Sequence, residues 1–168
     1  MRKIISAVLI VFGGSAYGVD LVKSAAVDSG NKVGVGVSFS GVTGLSIYAD
    51  TSRNHFVQAA IGFAPYGSYE ATSDYAFAYR NAISTLPSVT PYWGLGAVLL
   101  HDQSDYWSRY ARNEIQSTTY VGARIPLGLN FVIPKTPVQL AAELAPSLLL
   151  TPATYSYLQG GVSARVLF

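Results

Sequence analysis

Residues 120–131 read YVGARIPLGLNF, and they decide the fold because two kinds of residue alternate through the whole stretch. One face is entirely apolar and carries Val121, Ala123, Ile125, Leu127, Leu129 and Phe131. The other face carries Tyr120, Gly122, Arg124, Pro126, Gly128 and Asn130. A repeat of two residues is the period of a β-strand, whose successive side chains point to opposite faces. The stretch therefore predicts a long strand with one apolar face.

The same alternation recurs through the rest of the chain. It predicts about eight strands, over residues 33–40, 45–50, 55–63, 73–80, 93–99, 120–131, 139–148 and 155–168. Short turns with glycine, proline or polar residues separate several of them, as at 41–44 and 134–137. The sequence thus predicts an all-β fold, an eight-stranded antiparallel up-and-down barrel over residues 33–168.

The N-terminal segment has the organisation of a secretory signal peptide. Arg2 and Lys3 precede an apolar run over residues 4–12, and small residues follow up to Gly18. We expect cleavage after Gly18, with Ala16 as the alternative, and a lead-in over residues 19–32. The chain contains no cysteine, which excludes a disulfide framework and a lipid attached to cysteine.

The composition favours a membrane environment. Only 12% of the residues are charged, whereas globular proteins average about 25%. Without Arg2 and Lys3 the 11 basic residues become 9, which equals the 9 acidic ones, so net charge gives no reason to expect nucleic-acid binding. No later stretch reaches the roughly 20 apolar residues of a membrane helix. Closed β-barrels are the other structure that satisfies every backbone hydrogen bond inside lipid. A transmembrane barrel is therefore expected.

The face opposite the apolar rows indicates which side meets lipid. It consists mostly of Gly, Ala, Ser, Gln and Tyr, and such small residues suit the narrow interior of an eight-stranded barrel. The isolated charges fall on this face, and a charge on the lipid face costs about 2–4 kcal/mol near the midplane. We expect a polar network in the lumen, formed by Arg124, Glu143, Arg165, Tyr120, Tyr157 and Gln159. Such a network either plugs the lumen or lines a narrow gated path.

Aromatic residues near the strand ends match the girdles that membrane barrels place at the two interfaces. We expect Trp93, Phe131 and Phe168 at the periplasmic interface. On the same reasoning Phe39, Phe63 and Tyr75 belong to the outer interface.

The longest outer loop is expected to begin at His101. A histidine and a serine near the rim would suit a lipid-modifying enzyme, but His101 and Ser104 would point to opposite faces of a strand, and no oxyanion site is evident after the serine. The loop also mixes aromatic rings with arginines, which would contact lipopolysaccharide phosphates or a partner, or anchor the rim. These residues are Trp107, Arg109, Tyr110 and Arg112. We predict no catalytic residue, cofactor or metal site, since the two histidines lack metal-ligand spacing.

The final strand ending in Phe168 resembles the C-terminal sorting signal of bacterial outer-membrane proteins. The chain from about residue 30 onwards resembles the small OmpA-like and OmpX-like barrels. Thr43-Gly44-Leu45-Ser46 and the stretch from Arg124 through the 134–137 turn to Glu143 are most similar to a group of uncharacterised barrels of this kind. The resemblance implies assembly by the outer-membrane insertion machinery through the terminal strand. It implies no reaction, and we expect no peptidoglycan-binding domain of the kind that follows longer OmpA-like barrels.

These observations together predict a monomeric, non-enzymatic barrel of the bacterial outer membrane, with a structural or surface-interaction role. Its expected partners are outer-membrane lipid, lipopolysaccharide and the insertion machinery, and no nucleic acid. The alternatives are a small lipid-modifying enzyme and a narrow channel or transporter.

Overall fold

A computed structural model describes residues 32–64, 68–80, 82–83, 85–86, 88–102, 118–152 and 154–168. The predicted signal peptide and residues 19–31 of the lead-in lie outside these ranges. So do Ser104 and the predicted contact residues Trp107, Arg109, Tyr110 and Arg112.

Strand follows strand along the chain, joined by turns and loops. The segments are β1 (Val33–Ser40), β2 (Thr43–Ser52), β3 (His55–Phe63), β4 (Tyr69–Ala78), β5 (Val89–Asp102), β6 (Thr118–Arg124), β7 (Leu127–Val132), β8 (Val138–Thr151) and β9 (Tyr155–Leu167). Segments β6 and β7 are two halves of one strand, because both pair with β5 on one side and β8 on the other. Pro126 interrupts that strand, since proline has no N–H to donate to the ladder.

The strands close into a barrel. Each pairs antiparallel with the next along the chain, and β1 pairs with β9 from Gly34 opposite Leu167 to Ser40 opposite Gly161. Because β6 and β7 are one strand, the nine segments form a ring of eight. At the interruption the wall stays bonded, as Gly94 N donates to Pro126 O at 2.8 Å. The predicted all-β, eight-stranded antiparallel fold is confirmed.

Burial is the reverse of that in a water-soluble protein. Within the long strand, Ile125 is 45% exposed whereas its neighbour Arg124 is only 6% exposed. The pattern holds around the ring, where valine, leucine, isoleucine and aromatic side chains form the outer surface and polar groups lie inside. A continuous apolar surface of this kind marks a site of contact with membrane or protein. In the described part of the chain, no helix is long and apolar enough to cross a membrane.

Two ends of the barrel can be distinguished. The terminal end carries Lys32, Phe168, the turns 53–54 and 133–137, and the strand ends at Ala78 and Val89. The loop end carries the turn 41–42 and the strand ends at Phe63, Tyr69, Asp102, Thr118, Thr151 and Tyr155. Tyr75, expected at the outer interface with Phe63, lies instead near the terminal end. The expectation was wrong because β4 begins at Tyr69, four residues before the predicted start, so Tyr75 falls further along the strand.

Several strands extend further than the alternation indicated. Residues His101 and Asp102 belong to β5, where they pair with Thr119 and Thr118, so the prediction that they open the loop is wrong. Likewise β2 includes Thr43 and Gly44, which the sequence assigned to a turn. Backbone pairing continues through these polar ends because the ladder needs only N–H and C=O groups, whereas the sequence signal needs apolar side chains.

Candidate functional site

The centre of the lumen holds a layer of charged and polar side chains around Arg124. This residue projects inward from β6, where it is paired with Gly96 of β5 and Ser147 of β8. Its Nη2 donates to Glu143 Oε1, and its Nη1 donates to Gln159 Oε1 at 3.2 Å. Three of the six residues expected in the network therefore contact one another directly at Arg124.

Arg124 also forms a second ion pair, with Asp74 of β4. Its Nε lies 3.1 Å from Asp74 Oδ1, although the two groups are not aligned as a hydrogen bond. Both side chains are almost completely shielded from solvent. One guanidinium thus forms ion pairs with carboxylates from two strands on different sides of the barrel.

Glu143 accepts hydrogen bonds from across the lumen. Its Oε2 accepts from Tyr92 Oη at 2.6 Å and from Gln58 Nε2 at 2.5 Å. Gln58 Nε2 also lies 3.1 Å from Asp74 Oδ2, its second acceptor. Side chains from β3, β4, β5, β6 and β8 consequently meet at one level of the barrel.

Arg165 of β9 joins this layer through an amide rather than through a carboxylate. Its Nη2 donates to Gln58 Oε1 at 3.1 Å, and Nε donates to Ser46 Oγ at 2.9 Å. Nη1 donates to Gln139 Oε1 at 3.3 Å, and the guanidinium lies 5.6 Å from the centre of the Tyr48 ring. Charge-assisted hydrogen bonds and a cation–π contact therefore stabilise this buried charge.

Toward the loop end the layer continues through Gln159. Its Nε2 donates to Glu70 Oε1 at 2.5 Å, and its Oε1 accepts from Ser147 Oγ at 3.3 Å. Glu70 is buried and lies on β4, four residues before Asp74. The polar layer thus extends from Arg165 to Glu70 with a hydrogen-bonded or ionic contact at each step.

Apolar clusters lie on both sides of the polar layer. The terminal-end cluster consists of Tyr48, Phe56, Ala76, Ala78, Tyr92 and Leu167. The loop-end cluster consists of Ala64, Val98, Leu100, Tyr120 and Leu149, with Tyr155 and Tyr157 partly buried against it. The lumen is therefore filled as three layers, apolar at each end and polar between them.

Of the two tyrosines expected in the network, one lies elsewhere in the lumen and the other lies beside the network. Tyr120 belongs to the loop-end cluster, because its partner on β5 is Leu100 and the neighbouring inward residue of β8 is Leu149. Tyr157 stacks on Tyr155 with ring centres 6.3 Å apart. Tyr157 is paired with Ser147, which is itself paired with Arg124, so this ring lies beside the polar layer. For Tyr120, a shared lumenal face was sufficient to place the ring inside but not at the level of Arg124.

Asp74, Gln58 and Glu70 belong to the network although the sequence pattern did not indicate them as members. Alternation puts Asp74 and Gln58 on the inward face but gives no connection between them and Arg124, and Glu70 precedes the predicted fourth strand, 73–80. Cross-strand register links Gln58 and Asp74 to Arg124, because Gln58 pairs with Asp74, Asp74 with Gly96, and Gly96 with Arg124. That register depends on strand ends that alternation does not define.

Gly96 leaves the space that the Asp74 carboxylate occupies. A Cβ at this position would lie 1.9 Å from Asp74 Oδ1 and 2.6 Å from Ser73 O. We expect Gly96→Ala to displace the carboxylate from Arg124 and to lower the free energy of unfolding by about 1–3 kcal/mol. Denaturant unfolding in lipid vesicles measures this loss.

Gly160→Ala is the matched control for that substitution. A Cβ there meets the flexible end of the exposed Leu144 side chain at 3.0 Å, with backbone no closer than 3.8 Å. Its unfolding free energy is expected to stay within about 0.5 kcal/mol of the parent, as for surface substitutions. Equal losses for the two variants would contradict the role assigned to Gly96.

A small cavity adjoins the polar layer. Its volume is about 70 Å³, and Ser46, Asp74, Arg124, Glu143 and Ser163 contribute to its walls. Binding pockets for drug-sized molecules measure about 300–1,000 Å³. The cavity therefore accommodates a few water molecules beside the ion pairs and no larger ligand.

His101 and its neighbours do not form a catalytic arrangement in the described part of the chain. His101 Nδ1 lies 2.9 Å from Thr119 Oγ1 on the outer surface. Asp102 points inward and accepts from Ser68 Oγ at 3.1 Å. Imidazole and the Ser68–Asp102 pair consequently lie on opposite faces of the wall. Among the described residues no group of three or more His, Cys, Asp or Glu side chains could hold a metal ion.

Phe168 joins the terminal strand to the first one. Its N donates to Val33 O at 2.8 Å, and Val33 N donates back to Phe168 O at 3.4 Å. The ring is 54% exposed on the outer surface of the terminal end.

Comparisons with known proteins identify structural neighbours. A scan against protein-family models and a search of the curated proteins each found no match. Among solved structures, the chain is similar to the N-terminal β-barrel domain of Pseudomonas aeruginosa OprF, with a TM-score of 0.58 and 11% sequence identity over 82% of this chain and 96% of that one. Neisserial surface protein A aligns with a TM-score of 0.48 and 14% identity over 82% of this chain and 94% of that one. The similarity to the OprF domain supports the eight-stranded barrel fold.

Proposed function

We propose that the protein is an integral barrel of the bacterial outer membrane with a closed lumen and no enzymatic activity. Its role is structural, or lies in contacts that its loop end makes with lipopolysaccharide or a surface partner. The observation that carries this proposal is the reversed burial, with leucine and valine rows outside and the Arg124 layer inside. Such a surface is stable in hydrocarbon and unstable in water.

The side chains that fill the lumen support the proposal that the barrel is closed to transport. Phe56 in the terminal-end cluster and Leu149 in the loop-end cluster are both completely buried. Between them, the carboxylates of Asp74 and Glu143 are engaged by Arg124 and by neutral donors. Open aqueous channels are found at roughly 16 strands, whereas eight-stranded barrels are filled by their own side chains.

The proposed partners follow from the two ends of the molecule. We propose contact with lipopolysaccharide phosphates through Arg109 and Arg112, flanked by Trp107 and Tyr110. For Phe168 we propose recognition by the insertion machinery during assembly, on the resemblance of the final strand to outer-membrane sorting signals. The assembled protein is proposed to act as a monomer.

Fractionation tests the location. We expect the protein in isolated outer membranes, and we expect its electrophoretic mobility to change on boiling because a folded barrel resists detergent. Recovery in the soluble periplasmic fraction, with no change on boiling, would contradict the proposal.

Planar bilayers test closure of the lumen. The purified barrel is expected to give no discrete conductance steps. The variant Glu143→Gln, which alters the polar layer, is also expected to give none. Asp50→Asn, near the terminal end and outside that layer, is the control variant. Reproducible steps that change with Glu143→Gln and not with Asp50→Asn would identify a narrow channel instead.

The lipid-modifying alternative has its own test. Overexpression is expected to leave the mass of lipid A unchanged. A new lipid A species that disappears with His101→Ala would show an enzyme and would contradict the proposed role.

A further inference from the structure

An aromatic patch covers the outer surface of β3, β4 and β5 at the terminal end. It consists of His55, Tyr75, Phe77, Tyr79 and Trp93. Phe77 stacks on Trp93 with ring centres 4.8 Å apart and an interplanar angle of 20°, and His55 lies 5.1 Å from Phe77. The rings are in register because these three residues are direct cross-strand neighbours.

Polar atoms within the patch hold its rings in place. Trp93 Nε1 donates to Tyr79 Oη at 2.9 Å, and His55 Nδ1 lies 2.8 Å from Tyr75 Oη. Tyr79 is nevertheless 54% exposed and Trp93 is 37% exposed. An ordered surface with an apolar body and polar edges suits the boundary between acyl chains and headgroups.

An exposed arginine lies next to this patch. Arg53 occupies the turn between β2 and β3, two residues before His55, and its carbonyl accepts from Arg80 Nε at 2.5 Å. Arg80 is neutralised by Asp50, with Nη2 and Oδ1 2.6 Å apart. The Arg53 guanidinium has no ion-pair partner among the described residues. It therefore provides a positive charge at the edge of the aromatic patch.

We propose that Arg53 and the aromatic patch form a binding site for an anionic phospholipid. The acyl chains pack on Phe77 and Trp93, and the headgroup phosphate pairs with Arg53 at the level of the Tyr79 hydroxyl. Anionic lipid is favoured over zwitterionic lipid because its headgroup has no ammonium group to offset the attraction to arginine. The site goes beyond the proposed function, since it assigns a lipid class to one face of the terminal end.

Lys135 gives an internal comparison. It is also an exposed cation of the terminal end, in the turn before β8. Residues 133–137, the turn that carries Lys135, contain no aromatic side chain. If binding needs both a cation and aromatic rings, the preference for anionic lipid should depend on Arg53 and not on Lys135. If only surface charge matters, the preference should depend equally on both residues.

Quenching of Trp93 fluorescence by brominated lipids tests the site. The chain has two tryptophans, so Trp107→Phe leaves Trp93 as the single reporter. The barrel is reconstituted in phosphatidylcholine vesicles with brominated phosphatidylglycerol or brominated phosphatidylcholine at equal mole fraction. We expect the relative association constant to favour phosphatidylglycerol by about fivefold, to approach one in Arg53→Gln and to be retained in Lys135→Gln.

Each alternative result overturns a defined part of the inference. Equal quenching by the two lipids would exclude a selective site, and equal loss in Arg53→Gln and Lys135→Gln would reduce it to general surface charge. If the preference for phosphatidylglycerol persists in Arg53→Gln, Arg53 is not the cation that binds the headgroup. Absence of quenching by either lipid would place Trp93 away from the bilayer and would contradict membrane insertion itself.

Discussion

Replacing Arg124 with methionine is expected to lower the free energy of unfolding by about 3–5 kcal/mol. The loss arises because Glu143 and Asp74 would remain buried with no cation between them. Guanidinium-induced unfolding of the barrel in lipid vesicles, followed by tryptophan fluorescence, measures the change. Adding Glu143→Gln and Asp74→Asn to this variant should restore part of the free energy of unfolding, because the two substitutions remove the uncompensated negative charges.

Arg80→Met is the control for that result. Arg80 also forms an ion pair, with Asp50, but its side chain is 34% exposed at the terminal end. Solvent reaches the Arg80 side of this pair, and Asp50, whose side chain is 7% exposed, keeps the hydrogen bond from Tyr48 Oη, so a loss of about 1 kcal/mol is expected. Equal losses in Arg124→Met and Arg80→Met would show that the lumenal layer has no special role in stability.

Replacing Leu144 with arginine is expected to cost about 2–4 kcal/mol in a bilayer. Leu144 is 57% exposed and lies near the middle of β8, so the charge would face the centre of the hydrocarbon. Unfolding in lipid vesicles again measures the loss. In a water-soluble barrel the same exposed substitution would change stability by only about 0.5 kcal/mol.

Leu150→Arg is the matched control on the same strand. It is as exposed as Leu144 but lies at the loop end of β8, where the expected cost falls to about 0–1 kcal/mol. A loss that does not depend on depth would contradict the assignment of the outer surface to lipid.

Much of the fold follows from alternation alone. The period of two over residues 120–131 defined which side chains face the lumen, and Arg124 and Ile125 are indeed on opposite faces. The strand ends could not be predicted in this way. β4 begins at Tyr69 and β5 runs to Asp102, and the residues at these ends do not alternate between strongly apolar and polar side chains. Pairing at those ends depends on the neighbouring strand rather than on local sequence.

Contacts between lumenal side chains of distant strands could not be predicted from the sequence. Arg124 and Glu143 were expected to meet because they lie in adjacent parts of one hairpin, separated by one turn. Asp74 reaches the same point from β4, and its contact with Arg124 depends on the register of two intervening pairings. The position of a side chain along the barrel axis depends on the register of every strand pairing between it and its neighbour across the lumen. An error in one strand end therefore shifts the predicted position. Tyr120 and Tyr75 were misplaced along the axis for this reason.

Spin labels along β8 test the central claim, that the apolar face contacts acyl chains. The chain lacks cysteine, so single cysteines can be placed at outward Leu140, Ala142 and Leu144 and at inward Ala141 and Ala145 without further change. In lipid vesicles we predict frequent collisions with oxygen at the outward positions, few at the inward ones, and little access of a water-soluble nickel chelate at either. Outward labels shielded from oxygen, together with inward labels open to the chelate, would contradict the account.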